Sequence, residues 1–274
     1  MIEISNISSG YEGKRVLRNF SVTFEKSAFC AVMGPNGSGK STLLRSIAGL
    51  QLLEEGDILI DGLSLSQYKP LELARKIAFV PQREDVVFDF SVFEVVMMGR
   101  NPYQNRWEFS TPEDEKLVEK VLEMTNLKHL KDRMLGQLSG GELRRAMIAR
   151  AIAQQTPIIM LDEPLANLDV VHQFEIMDIL AELNQQQQVT IIIVLHDFPY
   201  ALQYAHEVLL MKEGEIQHFG PTSKVLNPEN VQTCFGLGER YEYGADGIVR
   251  KRGYREAAPY LYLMCHSEAK PKNL

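Results

Sequence analysis

Eight consecutive residues, Gly34-Pro35-Asn36-Gly37-Ser38-Gly39-Lys40-Ser41, have the composition and spacing of a loop that wraps phosphate. The glycines let backbone N–H groups turn inward onto phosphate oxygens. Lys40 supplies a cation for β- and γ-phosphates, and the Ser41 hydroxyl can sit on Mg²⁺. Thr42 continues the same turn into a helical stretch whose dipole favours an anion. An ordinary glycine-rich turn is the competing reading. A second pair, Asp162-Glu163, closes the apolar run Ile158-Ile159-Met160-Leu161. There Asp162 would hold Mg²⁺ through its water shell, and Glu163 would act as general base toward an attacking water. An acidic pair at a strand end is often only a solvated terminus. Beside a phosphate loop it becomes a candidate for phosphoryl hydrolysis.

Two more apolar runs end on a polar group: Ile77–Val80 leads to Gln82, and Ile191–Leu195 leads to His196. A lone glutamine or histidine is usually structural. Parallel strands, however, place their C-terminal ends on one edge of a sheet. Gln82, Asp162, Glu163 and His196 are therefore expected to converge on the phosphate loop. Leu138-Ser139-Gly140-Gly141-Glu142 carries a different signal. Ser139 and Glu142 alone read as a capping box. The two glycines do not follow from that, since each costs a helical turn about 1 kcal/mol relative to alanine. Their use would be the close approach of an anion to bare N–H groups, which makes this a second anion site on another helix.

Positioning these groups requires a sheet with helices. Ile2–Ile7 and Val16–Phe24 alternate as half-buried strands do, and Phe29–Met33 is apolar throughout, as in a strand covered on both faces. Gly56–Asp61 and Ile77–Val80 are further strands. From about Val92 to Gln155 the spacing is helical, with starts at Thr111-Pro112-Glu113-Asp114 and at Ser139. Strand Ile158–Leu161, helix Val170–Leu183, strand Thr190–Leu195, helix Pro199–Tyr204 and strand Val208–Met211 then alternate. That order predicts a parallel α/β sheet with a helical insertion. Gln185–Gln188 reads as a solvated loop. Tyr241–Gly247 and Pro259–Met264 read as a late strand pair, Arg250-Lys251-Arg252 with Arg255 as a solvated turn rather than a lipid or partner contact, and 267–274 as a disordered tail.

Composition removes several classes of function. The 274 residues carry 29 basic and 36 acidic side chains, a formal charge of −7, so there is no global footprint for nucleic acid. No apolar run approaches the roughly 18 residues of a bilayer span, and the first residues lack the regions of a signal peptide, which points to the cytosol. Cys30, Cys234 and Cys265 are odd in number and far apart, as reduced and mostly buried thiols are.

Taken in order, the phosphate loop, Gln82, Leu138–Glu142, Ile158–Pro164, Leu168-Asp169 and His196 resemble the nucleotide-binding subunit of an ABC transporter, over about residues 1–235. The resemblance implies an α/β fold: a P-loop NTPase (RecA-like) core with an antiparallel β subdomain and an inserted α-helical subdomain. It sets an ABC ATPase domain at 1–239 (core 1–84 and 156–239, helical subdomain 85–155) and a C-terminal extension at 240–274. It implies ATP and Mg²⁺ as cofactors. Gly34, Pro35, Asn36, Gly37, Ser38, Gly39, Lys40, Ser41 and Thr42 would bind the nucleotide, with Tyr11 stacked on adenine. Ser41, Gln82 and Asp162 would surround Mg²⁺, and Glu163, Gln82 and His196 would be catalytic, His196 on the γ-phosphate. Ser139, Gly140, Gly141 and Glu142 would act on ATP held by a second copy in a head-to-tail homodimer, bridged by Asp169. Glu142 stands where that family more often has glutamine, and Leu165–Asp169 varies its usual small-residue turn.

The segment Ser91–Val96 followed by Gly99-Arg100-Asn101-Pro102-Tyr103 resembles the subunits of metal-chelate importers (iron-siderophore, haem, cobalamin). This implies a peripheral position on the inner face of the cell membrane. The partners would be transmembrane permease subunits with a periplasmic or extracellular binding protein, with no nucleic acid and no direct insertion into the bilayer. Val86, Val87, Phe88, Phe90 and Trp107 would either line the groove for a short helix of the membrane subunit or pack in the helical core. The alternative is a soluble ABC ATPase without a membrane partner, such as one serving iron–sulfur cluster assembly. A chromosome-acting relative would carry a long coiled coil or two cassettes, and neither is present.

Overall fold

A computed structural model of the chain describes residues 1–11, 13–82, 90–104, 110–238, 241–244 and 246–251. The chain opens on a hairpin of β1 (Ile2–Tyr11) and β2 (Lys14–Phe24), then enters β3 (Phe29–Met33), the glycine loop and α1 (Lys40–Ile47). β4 (Leu53–Ile60) and β5 (Leu63–Ser64) return to the hairpin, and α2 (Pro70–Ala74) leads into β6 (Ile77–Val80). Three helices follow: α3 (Val92–Met98), α4 (Pro112–Met124) and α5 (Gly140–Ala153). Then come β7 (Ile158–Leu161), α6 (Val170–Gln187), β8 (Thr190–Val194), α7 (Phe198–Tyr204), β9 (Glu207–Lys212) and β10 (Glu215–Pro221). α8 (Thr222–Val225), α9 (Pro228–Phe235), β11 (Tyr241–Tyr243) and β12 (Val249–Lys251) complete the described chain.

The central sheet has the order β10-β9-β3-β8-β7-β6, with β10 antiparallel at one edge and the other five strands parallel. A second, antiparallel sheet has the order β2-β1-β4-β5. The unbroken apolar runs follow from cover on both faces. Along β3, Cys30 and Val32 point into a core shared with the antiparallel sheet and α1, while Phe29, Ala31 and Met33 point into a core shared with the helices. Ile192 and Val194 against Ile191 and Ile193 repeat the pattern on β8. Cys30 and Cys234 are buried free thiols, and Cys265 lies outside the described residues.

The helical insertion begins each of its helices in one way. Ser91, Thr111 and Ser139 are N-caps, each in a reciprocal capping box with an acid three residues on: Glu94, Asp114 and Glu142. One buried ion pair fastens the three helices. Arg100, just past α3, donates Nε to Asp114 Oδ1 at the start of α4 (2.7 Å) and Nη1 to the Ala153 carbonyl at the end of α5 (2.8 Å). Gly99 lets this corner close, because a Cβ there would strike the Arg150 carbonyl.

Three expectations change. Gln185–Gln187 form the last turn of α6, and Gln188 ends it in a left-handed conformation (φ 56°). Glutamine is a good helix former and nothing before Gln188 breaks the helix, so the run is solvated but not a loop. Tyr241–Tyr243 pairs antiparallel with Val249–Lys251 through a tight turn, so the strand partner comes sooner in the chain than Pro259–Met264. Arg250 and Lys251 thus stand in a strand rather than a solvated turn, and Arg250 pairs with Asp246. Arg252, Arg255, Pro259–Met264 and the tail 267–274 lie outside the described residues. So do Val86, Val87, Phe88 and Trp107; Phe90 packs against the helical core.

Asp114 carries both a cap and the charge that Arg100 needs. Removing one partner of a buried ion pair leaves the other uncompensated, at about 3 kcal/mol or more. Asp114→Ala should lower the unfolding free energy by that amount, read as a lower urea midpoint with an unchanged slope. A loss below about 1 kcal/mol would show that the pair does not hold the helices.

Candidate nucleotide site

Backbone shape decides the phosphate loop. Gly34, Gly37 and Gly39 have φ of 153°, 79° and 100°, and a Cβ on Gly34 would run into the Met211 carbonyl. The loop turns sharply out of β3, and α1 starts at Lys40 with no side-chain cap on its first N–H groups. Those donors face the cleft, as an anion site requires. Lys40 folds over the loop and donates Nζ to the carbonyls of Gly34 (2.8 Å) and Pro35 (3.0 Å).

The strand ends meet as their register dictates. Glu163 lies at the centre: its Oε2 accepts from Gln82 Nε2 at 2.6 Å, and its Oε1 is 2.8 Å from His196 Nε2. Its backbone is left-handed (φ 49°), an uncommon conformation for glutamate. The hydrogen bond with His196 holds its carboxyl below the usual range. Burial opposes this, while electrostatic attraction to His196, the hydrogen bond from Gln82 and the charge of Lys40 add to the lowering. Glu163 is therefore an ionised acceptor at neutral pH. Asp162, one residue earlier, behaves in the opposite way. It is wholly buried, and neither carboxylate oxygen has a hydrogen bond of normal geometry. Burial pushes its pKa up, while the Ser41 hydroxyl, near enough to favour the charged form, offsets part of the rise. An orphaned carboxylate beside a serine hydroxyl at a phosphate loop suits a hydrated Mg²⁺, which takes few protein ligands and keeps several waters. Among the described residues no cluster of three or more His, Cys, Asp or Glu could hold a metal by itself.

Apart from the buried Asp162, these groups open into one cleft of about 1660 Å³, lined by the loop, Tyr11, Gln82, Glu163, His196 and the C-terminal hairpin. Single small-molecule sites span roughly 300–1,000 Å³, so one nucleotide would not fill it. Tyr11 is exposed at the rim, with its hydroxyl 3.5 Å from Arg45 Nη1. Ser139–Glu142 do not line this cleft. They form the capped end of α5, Glu142 accepting from the Ser139 N–H at 2.7 Å, which lowers its pKa. Gly141 abuts Asn167 and Leu168 of the same chain; a Cβ on Gly140 would meet nothing. Asp169 is exposed, caps α6 through the His172 N–H (3.0 Å), and lies 2.6 Å from His172 Nδ1.

Two features of the site leave little mark in the sequence. Arg144, in α5, reaches the carbonyls beside the strand ends that carry Gln82 and Asp162; its one outward signal is a basic pair, Arg144-Arg145, on a helix that otherwise carries only Glu142 and Arg150 as charges. Phe198, two residues after His196, is wedged edge-on between Phe235 and Tyr243, so the C-terminal hairpin braces the start of α7.

The family described as "ABC transporter" matches residues 17–166. The petrobactin import ATP-binding protein FpuC of Bacillus anthracis is 39% identical over 237 residues, 86% of this chain and 87% of that protein. A chain of an inward-facing ABC transporter assigned to the metal-chelate type superposes with a TM-score of 0.74 at 31% identity, covering 86% of this chain and 89% of that one. The ATP-binding cassette MJ0796, dimeric in a post-hydrolysis state with ADP and Pi, has a TM-score of 0.74 at 30% identity, covering 81% and 99%.

Asp162→Asn removes a charge that the fold holds unfavourably. Because the folded pKa is raised, the penalty is full above it, shrinks as the pH falls through it, and vanishes below the ordinary carboxylate value. Without nucleotide or Mg²⁺ at neutral pH the variant should be more stable than the parent, with the gap closing as the pH falls toward the ordinary carboxylate value of about 4. Calorimetric melts across that range check this; a variant less stable at neutral pH contradicts it.

Proposed function

Because the chain belongs to the ABC transporter family of ATP-binding subunits, we propose that it binds and hydrolyses ATP to drive import of a metal chelate through membrane permease subunits. The carrying observation is the division of the chemistry. The loop and the Gln82–Glu163–His196 cluster share one cleft, with Asp162 buried next to Glu163 in the chain, while Ser139–Glu142 lie outside it. One chain then holds two half-sites. A head-to-tail dimer would complete each cleft with the α5 end of the other copy, which suits a cleft larger than a nucleotide. The dimeric MJ0796 cassette with ADP and Pi supports a dimer as the functional unit.

In this reading the loop N–H groups and Lys40 bind the β- and γ-phosphates, and Tyr11 stacks on adenine. Ser41, Gln82 and Asp162 would hold Mg²⁺, which when bound neutralises charge on the phosphates. Glu163, ionised and oriented by Gln82 and His196, orients the attacking water and takes its proton as general base. Lys40, His196 and the N-terminus of the partner's α5 stabilise the γ-phosphoryl charge as it develops. Asp169 bridges the copies. Loss of the γ-phosphate releases the α5 end, and the helical region 85–155 passes the motion to the permease. No helix among the described residues is long and apolar enough to cross a membrane, so the chain would sit peripherally on the cytoplasmic side. The petrobactin importer subunit and the metal-chelate transporter support a siderophore or other metal-chelate cargo, which an extracytoplasmic binding protein would deliver. They favour this over a soluble cluster-assembly ATPase.

Glu163→Gln should keep ATP binding, lower turnover by about 10²-fold or more, and accumulate an ATP-bound dimer by light scattering. Turnover near the parent rate would remove Glu163 as the base. Ser139→Arg should abolish ATP-driven dimerisation while each monomer still binds nucleotide; a persistent dimer would place the α5 end elsewhere. Co-purification with a permease and ATP-dependent uptake of a ferric chelate into vesicles test the import reading. Turnover indifferent to solubilised membrane subunits would favour the soluble one.

A further inference from the structure

Arg144 is buried in the second turn of α5, five residues after Ser139. Its guanidinium spends its donors on backbone carbonyls from two strand ends. Nη1 donates to Pro81 O (2.5 Å) and lies 3.5 Å from Gln82 O; Nη2 donates to Asp162 O (2.6 Å), and Nε to Pro164 O (3.2 Å). Those four peptides flank the side chains that orient and form the catalytic carboxylate: Gln82 on one strand end, Asp162 and Glu163 on the other. A planar fork of five fixed donors can hold such an array, whereas an ammonium is a single point. Packing alone would have been served by an apolar side chain in this helix. A buried arginine without these acceptors would carry a large desolvation cost.

We infer that Arg144 is a positioning residue for hydrolysis, coupling the Ser139-Gly140-Gly141 end of α5 to the Gln82–Glu163 pair of its own chain. A shift of α5 on engaging a second copy's phosphate moves the guanidinium, and with it the peptides on either side of Gln82 and Glu163. Each active site is thereby set from the helix that serves the opposite one. The inference rests on Glu163 acting as the base, as proposed above.

The test uses the full chain with Arg144→Met, which keeps length and loses the donors, and Arg144→Gln, which keeps an amide donor. ATP binding is titrated with a fluorescent analogue, and kcat is referred to the binding-competent protein, so partial unfolding does not count. The expected result is a 10–100-fold lower kcat for Arg144→Met, the scale seen when partners one layer behind a reactive centre are removed. KM for ATP should stay within about twofold. Arg144→Gln should recover part of the loss. Combining Arg144→Met with Gln82→Ala should give less than the product of the single losses, because both act through Glu163. If Arg144→Met lowers only the melting temperature and leaves the normalised kcat unchanged, or if the two losses multiply, the inference is overturned. If Arg144→Met does not fold, Arg144→Gln alone decides: a normalised kcat equal to the parent's overturns it, and a reduced kcat that is non-multiplicative with Gln82→Ala supports it. Glu163→Gln separates the two levels. Near-parent turnover there defeats the reading of the base, while an inactive Glu163→Gln beside a fully active Arg144→Met defeats the inference alone.

Discussion

Four strands buried on both faces end within a rung of one another on the same edge of the central sheet, and the cleft's chemistry depends on that alignment. Val80 pairs with Leu161, Leu161 with Ile193, and Val32 with Val194. The polar groups come within one or two residues of those ends, where the chain first escapes its apolar cover. Gln82, Glu163 and His196 therefore meet although they lie far apart in the chain. A one-residue slip of β7 would turn Leu161 toward the wrong core and remove Glu163 from both partners.

The two adjacent acids show what position does to chemistry. The Asp162 carboxylate is buried with no hydrogen bond of normal geometry and its pKa rises. Glu163 lies between an imidazole and an amide and its pKa falls. The same strand end thus delivers one carboxylate short of ligands and one held ionised as an acceptor. Environments that push neighbouring titratable groups apart are a mark of divided roles. The left-handed backbone at Glu163 is the local cost of pointing consecutive side chains to these different surroundings.

The helical region is partly legible in the order of its residues. Thr111-Pro112, and Ser139 followed three residues later by Glu142, mark helix starts that the capping boxes at those positions match, since capping is local. Arg100, with its carbonyl and carboxylate partners up to 53 residues away, and Arg144, clasping two strand ends, leave no such signal. Their partners are backbone carbonyls or distant acids, and a carbonyl has no residue identity for a sequence to display. The C-terminal hairpin misleads for a related reason. Two short β-prone stretches suggest pairing, but only the turn around Gly247 and the wedge of Phe198 between Phe235 and Tyr243 say which stretches pair.

By itself, the order of residues determined the phosphate loop, the acid-ended strand, the capped glycine pair and the alternation of strand and helix. Each is a short-range pattern whose spacing is dictated by backbone geometry. Tertiary structure decided what those patterns become together. It set which acid is ionised and which is orphaned, which carbonyls an internal arginine holds, and that the glycine end of α5 does not line its own chain's cleft. Those outcomes depend on desolvation and on distances between residues far apart in sequence, and both exist only once the two cores have closed around the sheet.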